Sequence, residues 1–378
     1  MSSILTGNVY EHRRTKELLR YIPSEAIALI WHEDLDGMAV EGLMKKRVKA
    51  VINGKPSMSG RYKHTNVSTL LNAGIPVFDV ITTFQQWECF NGEEILIKDN
   101  TLHVRKEGDF AEIASVHLYT PSTIEALLKK ASQAYPDQLT SFVENTVDYA
   151  KRECTYFLTE PKLPQSLKSL NGYDVLIVAR SPYYEHDLRA VRNMLKKKKV
   201  KIIAIDGAAD GILRMNLTPD FILGDMDSIS IEGLQCGATI LCHENMQGLS
   251  PGKERLLQYG IEAETITFVG TSEDVAIHAA HWSGASHLYL IGCRISLHEF
   301  LEKGRAGMGA SLLNRIQAGD RITDLKGIHR LVHPNDLKKQ WLSNIFLQLE
   351  KLRFKLRNQF LNLGRFNVWR KKEAIRHE

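Results

Sequence analysis

Short apolar runs alternate with amphipathic segments over two long stretches of the chain. In the first, "AIALIWHED", "VKAVING" and "IPVFDVI" read as strands, while "GMAVEGLMKKR" and "NVSTLLNAG" between them have helical spacing. The pattern then shifts to apolar/polar alternation in "EEILIKDNTLHVRKEG" and "EIASVHLYT". Asp99-Asn100 between two such runs predicts an antiparallel hairpin. Pro121 and Ser122 open a helical segment that runs to about residue 158, with 3.6-residue spacing in "TIEALLKKASQAY". The stretch 159–172, "TEPKLPQSLKSLNG", has two prolines and few large apolar groups, and predicts a linker.

The second stretch begins at residue 172. "DVLIVAR", "VKIIAIDG", "DFILGD", "ATILCHE", "AETITFVG" and "HLYLIG" are short, continuous apolar strands, as expected where both faces of a sheet are covered. Helical segments such as "DLRAVRNMLKKKK" and "AADGILRMN" lie between them, so the crossovers are right-handed and the sheet mostly parallel. The expected organisation is therefore an N-terminal α/β domain with β-hairpins over 1–120, a helical connector over 121–160 and a linker over 161–171. A doubly wound, mostly parallel α/β domain follows over 172–333, then a basic amphipathic helical tail over 334–378. In that tail Trp341, Ile345, Leu349, Leu352, Leu356, Phe360 and Leu363 recur every three or four residues, with Lys351, Arg353, Lys355 and Arg357 largely off the stripe. Such a stripe packs on its own body, on a second subunit or protein partner, or on an anionic membrane surface. A homodimer is the expected assembly.

Composition narrows the class. Of 378 residues, 43% are hydrophobic and 25% charged, the balance of an ordinary globular protein with room for two or three cores. The five cysteines show no CxxC spacing, which points to a reducing compartment and away from a disulfide scaffold or zinc site. The start, "MSSILTGNVYEHRRTK", lacks the apolar core of a signal peptide, and no run approaches about 18 apolar residues. The expected location is the cytoplasm; if the tail's stripe meets a membrane rather than protein, that contact is peripheral, at the inner face. Residues 336–378 hold 11 Lys+Arg against 4 Asp+Glu, leaving 38 basic and 40 acidic residues elsewhere. Basicity thus belongs to the tail, and nucleic acid is not an expected partner of the body.

Candidate chemistry gathers at the predicted strand ends, where ligands of doubly wound sheets collect. Asp206 closes "VKIIAID", Asp225 and Asp227 close "FILGD", and Glu273 and Asp274 follow "ETITFVG". Two carboxylates one residue apart in extended chain face the same way and can address one object. A divalent cation carrying a polyphosphate is the natural object, since Mg2+ takes one or two carboxylates plus phosphate oxygens. Gly207 and Gly224 permit close backbone approach, and Ser228 or Ser230 could cap the next helix, whose N-terminus favours an anion. For any single aspartate, helix capping is the simpler role; acids at three successive strand ends favour a site.

The segment "IDGAAD…NLTPDFILGDMDSIS" resembles the catalytic half of thiamin pyrophosphokinases, over roughly residues 172–330. That resemblance implies Mg2+ bound through Asp206, Asp225, Asp227 and Asp274, and ATP or another nucleotide held by these with Gly207, Gly224 and Ser228. The match departs at Asp206-Gly207-Ala208-Ala209, at "GTSED" and at "GCRISLHEF", and the chain passes through "LKGIHRLVHP" into the tail where a thiamin-pocket domain would follow. Over residues 7–330, "RRTKELL", "VINGKPSMSGRY", "FVENTVDYAKRE", "DMDSIS", "SPGKERL", "GTSEDVAI" and "SLHEFLEKGRAGMGASLLNRIQAGDRITDLKGI" together resemble SteA-like proteins of the cytokinetic ring or cell envelope. The implied function is nucleotide-dependent regulation of division or the envelope. The alternative is an active pyrophosphokinase transferring pyrophosphate from ATP to an alcohol.

Other segments compete less well. "QGLSPGKERL" has the wrong glycine spacing for a phosphate loop and reads as a turn and helix start. "PSMSGRY" could hold an anion through Ser57, Ser59, Gly60 and Arg61, or form a tight turn with an exposed arginine. Asp34 and Asp36 in "HEDLDG" read as caps of the next helix. His278 and His281 have no ligand partners in sequence and read as surface or core residues.

Overall fold

The structure, a computed structural model, describes residues 4–82, 90–198 and 200–332. The basic stripe from Trp341 to Leu363 lies outside the described residues. Among the described residues no helix is long and apolar enough to cross a membrane.

The first 118 residues are mixed α/β, but they close into a barrel rather than an open sheet. Its strands are β1 (Leu5–His12), β2 (Ile27–Ile30), β3 (Ala50–Asn53), β4 (Val77–Val80), β5 (Glu94–Lys98), β6 (Thr101–Lys106) and β7 (Asp109–Leu118), arranged in the order β1-β2-β3-β4-β7-β6-β5. Strands β1 to β4 pair parallel, and the rest of the circuit is antiparallel. Closure depends on β1. Its first half, Leu5–Asn8, pairs antiparallel with β5, and its second half, Val9–His12, pairs parallel with β2. The predicted hairpin joins β5 to β6, with Asp99 and Asn100 both left-handed (φ 50° and 61°) as a tight two-residue turn demands.

Burial explains the apolar runs. Along β2, Ile27 and Leu29 face the barrel interior with Ile52, Phe78 and Ile97. Ala28 and Ile30 face outward beneath helices α1 (Thr15–Tyr21), α2 (Gly37–Lys46) and α3 (Asn66–Asn72). Asp36 caps α2, its Oδ1 accepting from Ala39 N at 2.6 Å, so that carboxylate has the capping role read from the sequence.

One 37-residue helix, α4 (Pro121–Phe157), links the halves. Thr120 caps it by accepting from Thr123 N at 3.2 Å. After it, Leu167 and Leu170 of the proline-containing stretch are fully buried in the core of the second half, so residues 165–170 are packed chain, not a free tether.

The second half is a seven-stranded sheet, parallel throughout. Its strands are β8 (Asp174–Val178), β9 (Lys201–Ile205), β10 (Phe221–Gly224), β11 (Thr239–Glu244), β12 (Glu264–Thr267), β13 (His287–Ile291) and β14 (Ile322–Asp324). The order is β12-β11-β10-β9-β8-β13-β14. Helices α5 (Tyr184–Lys198), α6 (Ala208–Arg214), α7 (Ile231–Leu234), α8 (Pro251–Gln258), α9 (Ser272–Trp282), α10 (Leu297–Glu302) and α11 (Gly309–Gln317) accompany it. Separate apolar clusters cover the two faces: Val175 and Ile177 join one, Leu176 and Val178 the other. The strand order reverses between β8 and β13, and β9, β10 and β11 run outward side by side.

The motif "GRAGMGASLL" belongs to the contact of α11 with α4. A Cβ on Gly309 would lie 2.4 Å from Ala150 N, and one on Gly307 2.2 Å from the Tyr149 ring. Backbone meets backbone here, and relief requires the helices to part. Gly309→Ala should therefore destabilise the fold by about 1–3 kcal/mol, the usual cost of overpacking, read as a lower urea midpoint with an unchanged slope.

Candidate functional site

The carboxyl ends of β9 and β10 place two acids together. Leu223 pairs with Ile205, so Gly224 stands opposite Asp206 and Asp225 follows one residue on, leaving the two acids at neighbouring strand ends. Asp206 is left-handed (φ 46°), and its Oδ1 accepts from Met226 N at 2.8 Å. Gly224 makes room: a Cβ there would sit 2.1 Å from Asp206 Oδ1. Gly252, in the "SPGKE" segment, plays the same part below, since its Cβ would lie 2.5 Å from the Asp225 carbonyl oxygen.

Asp225 and Asp227 do not form an extended i, i+2 pair. Met226 between them is left-handed (φ 57°) and fully buried, so the chain turns. Asp227 N still donates to Asp225 Oδ1 at 3.2 Å, but the Asp227 side chain is half exposed and ion-pairs with Lys16 of the barrel half. Asp206 and Asp225, in contrast, line an open cleft of about 900 Å³ between the two halves.

The charges follow from this geometry. Burial, then the neighbouring Asp225 carboxylate, pushes Asp206 up to about 8. Burial also raises Asp225, and Asp227's charge adds to it. Burial acts upward on Asp227 too, but the hydrogen bond and charge of Lys16 outweigh it and hold Asp227 below the usual carboxylate range. Asp206 and Asp225 are thus both raised, while Asp227 is lowered.

Gly207 and Ser228 stand where the sequence places them: Gly207 N donates weakly to Ser228 Oγ at 3.4 Å, and a Cβ on Gly207 would meet the Ser228 carbonyl at 2.5 Å and the Arg180 guanidinium at 3.1 Å. Of the two serines, Ser230 is the cap of α7, accepting from Gly233 N at 2.9 Å and donating to Asp210 at 2.6 Å.

Asp274 is not brought to this group. It is buried in the capping box of α9, where Oδ2 accepts from Thr271 N (2.9 Å) and Thr271 Oγ1 (2.8 Å) and Oδ1 from Ser311 Oγ (2.8 Å). Its neighbour Glu273 lines the cleft instead, 3.5 Å from Arg305. Among the described residues, no group of three or more His, Cys, Asp or Glu side chains is disposed to hold a metal ion.

The other sequence candidates resolve as structure. Ser57 Oγ donates to Asp79 at 2.6 Å and Ser59 Oγ to Asp34 at 2.8 Å, while Arg61 Nε lies 3.7 Å from Asp34. The anions at "PSMSGRY" are thus the chain's own carboxylates, and Asp34 braces this loop rather than capping α2. His278 is a core residue, stacked 3.9 Å from Phe268, and burial lowers it to about 4. What sequence reading missed is the basic wall: Arg13, Arg14 and Lys16 precede or open α1 and line the same cleft as Asp206, joined by Arg180 at the end of β8. The only sequence signal was the "HRRTK" cluster, and nothing local ties it to a strand end some 200 residues away.

No known protein-family model matches the chain, and no curated protein does. Among solved structures, 3-isopropylmalate dehydratase (LeuD) of Methanocaldococcus jannaschii is 11% identical over 37% of this chain and 99% of its own, at TM-score 0.23. Thiamine pyrophosphokinase of Bacillus subtilis is 15% identical over 40% of this chain and 59% of its own, at TM-score 0.26. A D-isomer-specific 2-hydroxyacid dehydrogenase of Lactobacillus delbrueckii ssp. bulgaricus, in NAD-complexed form, is 12% identical over 81% of this chain and 85% of its own, at TM-score 0.14. Superpositions this loose fix neither fold nor function.

The raised Asp206 has a thermodynamic consequence. A carboxyl whose folded pKa exceeds its unfolded value of about 3.9 favours the native state below that value and loses this contribution as pH climbs to about 8. Asp206→Asn keeps an acceptor for Met226 N and removes the titration. Its stability relative to wild type should rise between pH 5 and pH 8.5 by more than about 1 kcal/mol, measured by urea denaturation in metal-free buffer. Parallel pH curves for the two proteins would show that Asp206 carries no such cost.

Proposed function

We propose that this chain is a SteA-like protein whose sheet half binds a Mg2+-nucleotide, and that it serves cell division or envelope regulation rather than thiamin metabolism. The observation that carries the nucleotide reading is the Asp206–Asp225 pair in a cleft that Arg13, Arg14, Lys16 and Arg180 also line. The assignment to division or the envelope rests on the SteA-like motifs alone.

The residues fit the cation. Asp206 and Asp225 are hard oxygen donors, each with one oxygen fixed by a backbone amide, and each raised by burial and a neighbouring carboxylate. Two carboxylates without a third protein ligand suit Mg2+, which takes its remaining ligands from water and phosphate. Bound there, Mg2+ would offset the carboxylate repulsion and neutralise phosphate charge. The chain supplies the rest. Gly270, Thr271 and Ser272 bring the N-terminus of the eleven-residue helix α9 to the cleft, where its dipole favours an anion. Arg180 adds a guanidinium suited to phosphate beside Gly207.

Calorimetry with Mg-ATP tests the reading. Asp206→Asn with Asp225→Asn should weaken binding by at least about tenfold, the scale of removing charge-assisted contacts, without loss of thermal stability. Equal affinity in the double variant would place the nucleotide elsewhere. With ATP, Mg2+ and thiamin, thiamin pyrophosphate formation should be undetectable; sustained turnover would make the chain a pyrophosphokinase.

A further inference from the structure

We infer that the barrel half completes this site: Arg13 and Arg14 grip the terminal phosphates of a metal-complexed polyphosphate whose cation sits on Asp206 and Asp225, so that the ligand bridges the two halves of the molecule. The inference builds on the Mg2+-nucleotide reading of the cleft and goes further, because it assigns the barrel a ligand.

Three observations converge. Arg13 and Arg14 lie between β1 and α1, and both line the cleft that Asp206 and Asp225 floor. Their backbone is held in place, with Arg14 N donating to His12 Nδ1 at 2.9 Å, yet both side chains are exposed and neither makes an ion pair among the described residues. The third is the reach across the gap: Lys16, two residues on, ion-pairs with Asp227 of the sheet half, two residues beyond Asp225, so side chains of this segment reach the loop that carries the floor.

The signs of charge select the ligand. A bare anion drawn to the arginines would meet the acids of the floor, Asp206 and Asp225. A bare cation drawn to the floor would meet Arg13, Arg14 and Arg180. A polyphosphate carrying a divalent cation presents each wall with its opposite, metal to the floor and phosphate oxygens to the guanidinia. Adjacent arginines also match the fork geometry of phosphate better than lysines would.

The test is calorimetric titration of the full chain with Mg-ATP and, separately, with metal-free inorganic tripolyphosphate. The variants are Arg13→Ala with Arg14→Ala and, as a control of equal charge change, Lys98→Ala with Lys129→Ala, two exposed lysines that do not line the cleft. The arginine variant should bind Mg-ATP at least about tenfold more weakly than wild type, at unchanged melting temperature, while the control binds as wild type does. Equal loss in both variants would reduce the effect to net charge and overturn the assignment. If wild type binds Mg-ATP and the arginine variant binds it equally well, the nucleotide reading stands and the barrel has no part in it. If wild type ignores Mg-ATP but binds tripolyphosphate through the arginines, the phosphate wall stands and the nucleotide reading falls. If wild type binds neither, both fall.

Discussion

Two carboxyls at the ends of adjacent parallel strands are the constraint around which the centre of this molecule is arranged. The register of β9 and β10 brings their backbones to neighbouring strand ends. The surroundings answer locally. Met226 adopts a left-handed turn and donates its amide to Asp206. Gly224 and Gly252 vacate the space a side chain would fill against Asp206 and Asp225. Asp206 holds its proton up to about pH 8, and Asp227 turns out to Lys16. Carboxyls perturbed in this way by burial and by each other are enriched at functional sites.

The barrel matters to that arrangement through position. Its parallel strands deliver α1 and the residues before it to the sheet's carboxyl edge, and α4 holds the halves in that relation by packing on α3, α10 and α11. At α11 the fit is close enough that Gly309 meets the α4 backbone directly. The Lys16–Asp227 pair also crosses the gap, but both side chains are more than 40% exposed, and exposed pairs contribute at most about 1 kcal/mol. Packing along α4, not charge, is what sets the cleft.

Much of the sheet half was legible from the chain because its signals are local. Continuous apolar strands with helices between them announced a parallel sheet, and the Asp99–Asn100 turn and the Asp36 cap were readable from residue type and spacing. Barrel closure was not, since nothing in "LTGNVYEH" says that one half of β1 pairs antiparallel with β5 and the other parallel with β2. The site was half legible. Acids at strand ends marked the floor, but which of Glu273 and Asp274 faces the cleft depends on where α9 begins, a matter of one residue. The serines of "PSMSGRY" looked ready for a foreign anion because their own partners, Asp34 and Asp79, lie 22 to 25 residues away.

Floor and wall are also unequal in solvation, and this decides which half responds to a ligand. The arginines of the wall are exposed, so water already stabilises them and a phosphate gains only the margin over hydration. The floor is partly buried, and burial with the neighbouring Asp225 carboxylate raises Asp206. In the proposed complex a cation would meet donors that solvent satisfies less fully than it does the arginines. In that proposal the floor would govern whether a complex forms, and the wall which anion accompanies the cation. A polyphosphate long enough to reach the wall while its cation sits on the floor would draw on two surfaces at once, with the second contact made at the high effective concentration that a fixed cleft imposes.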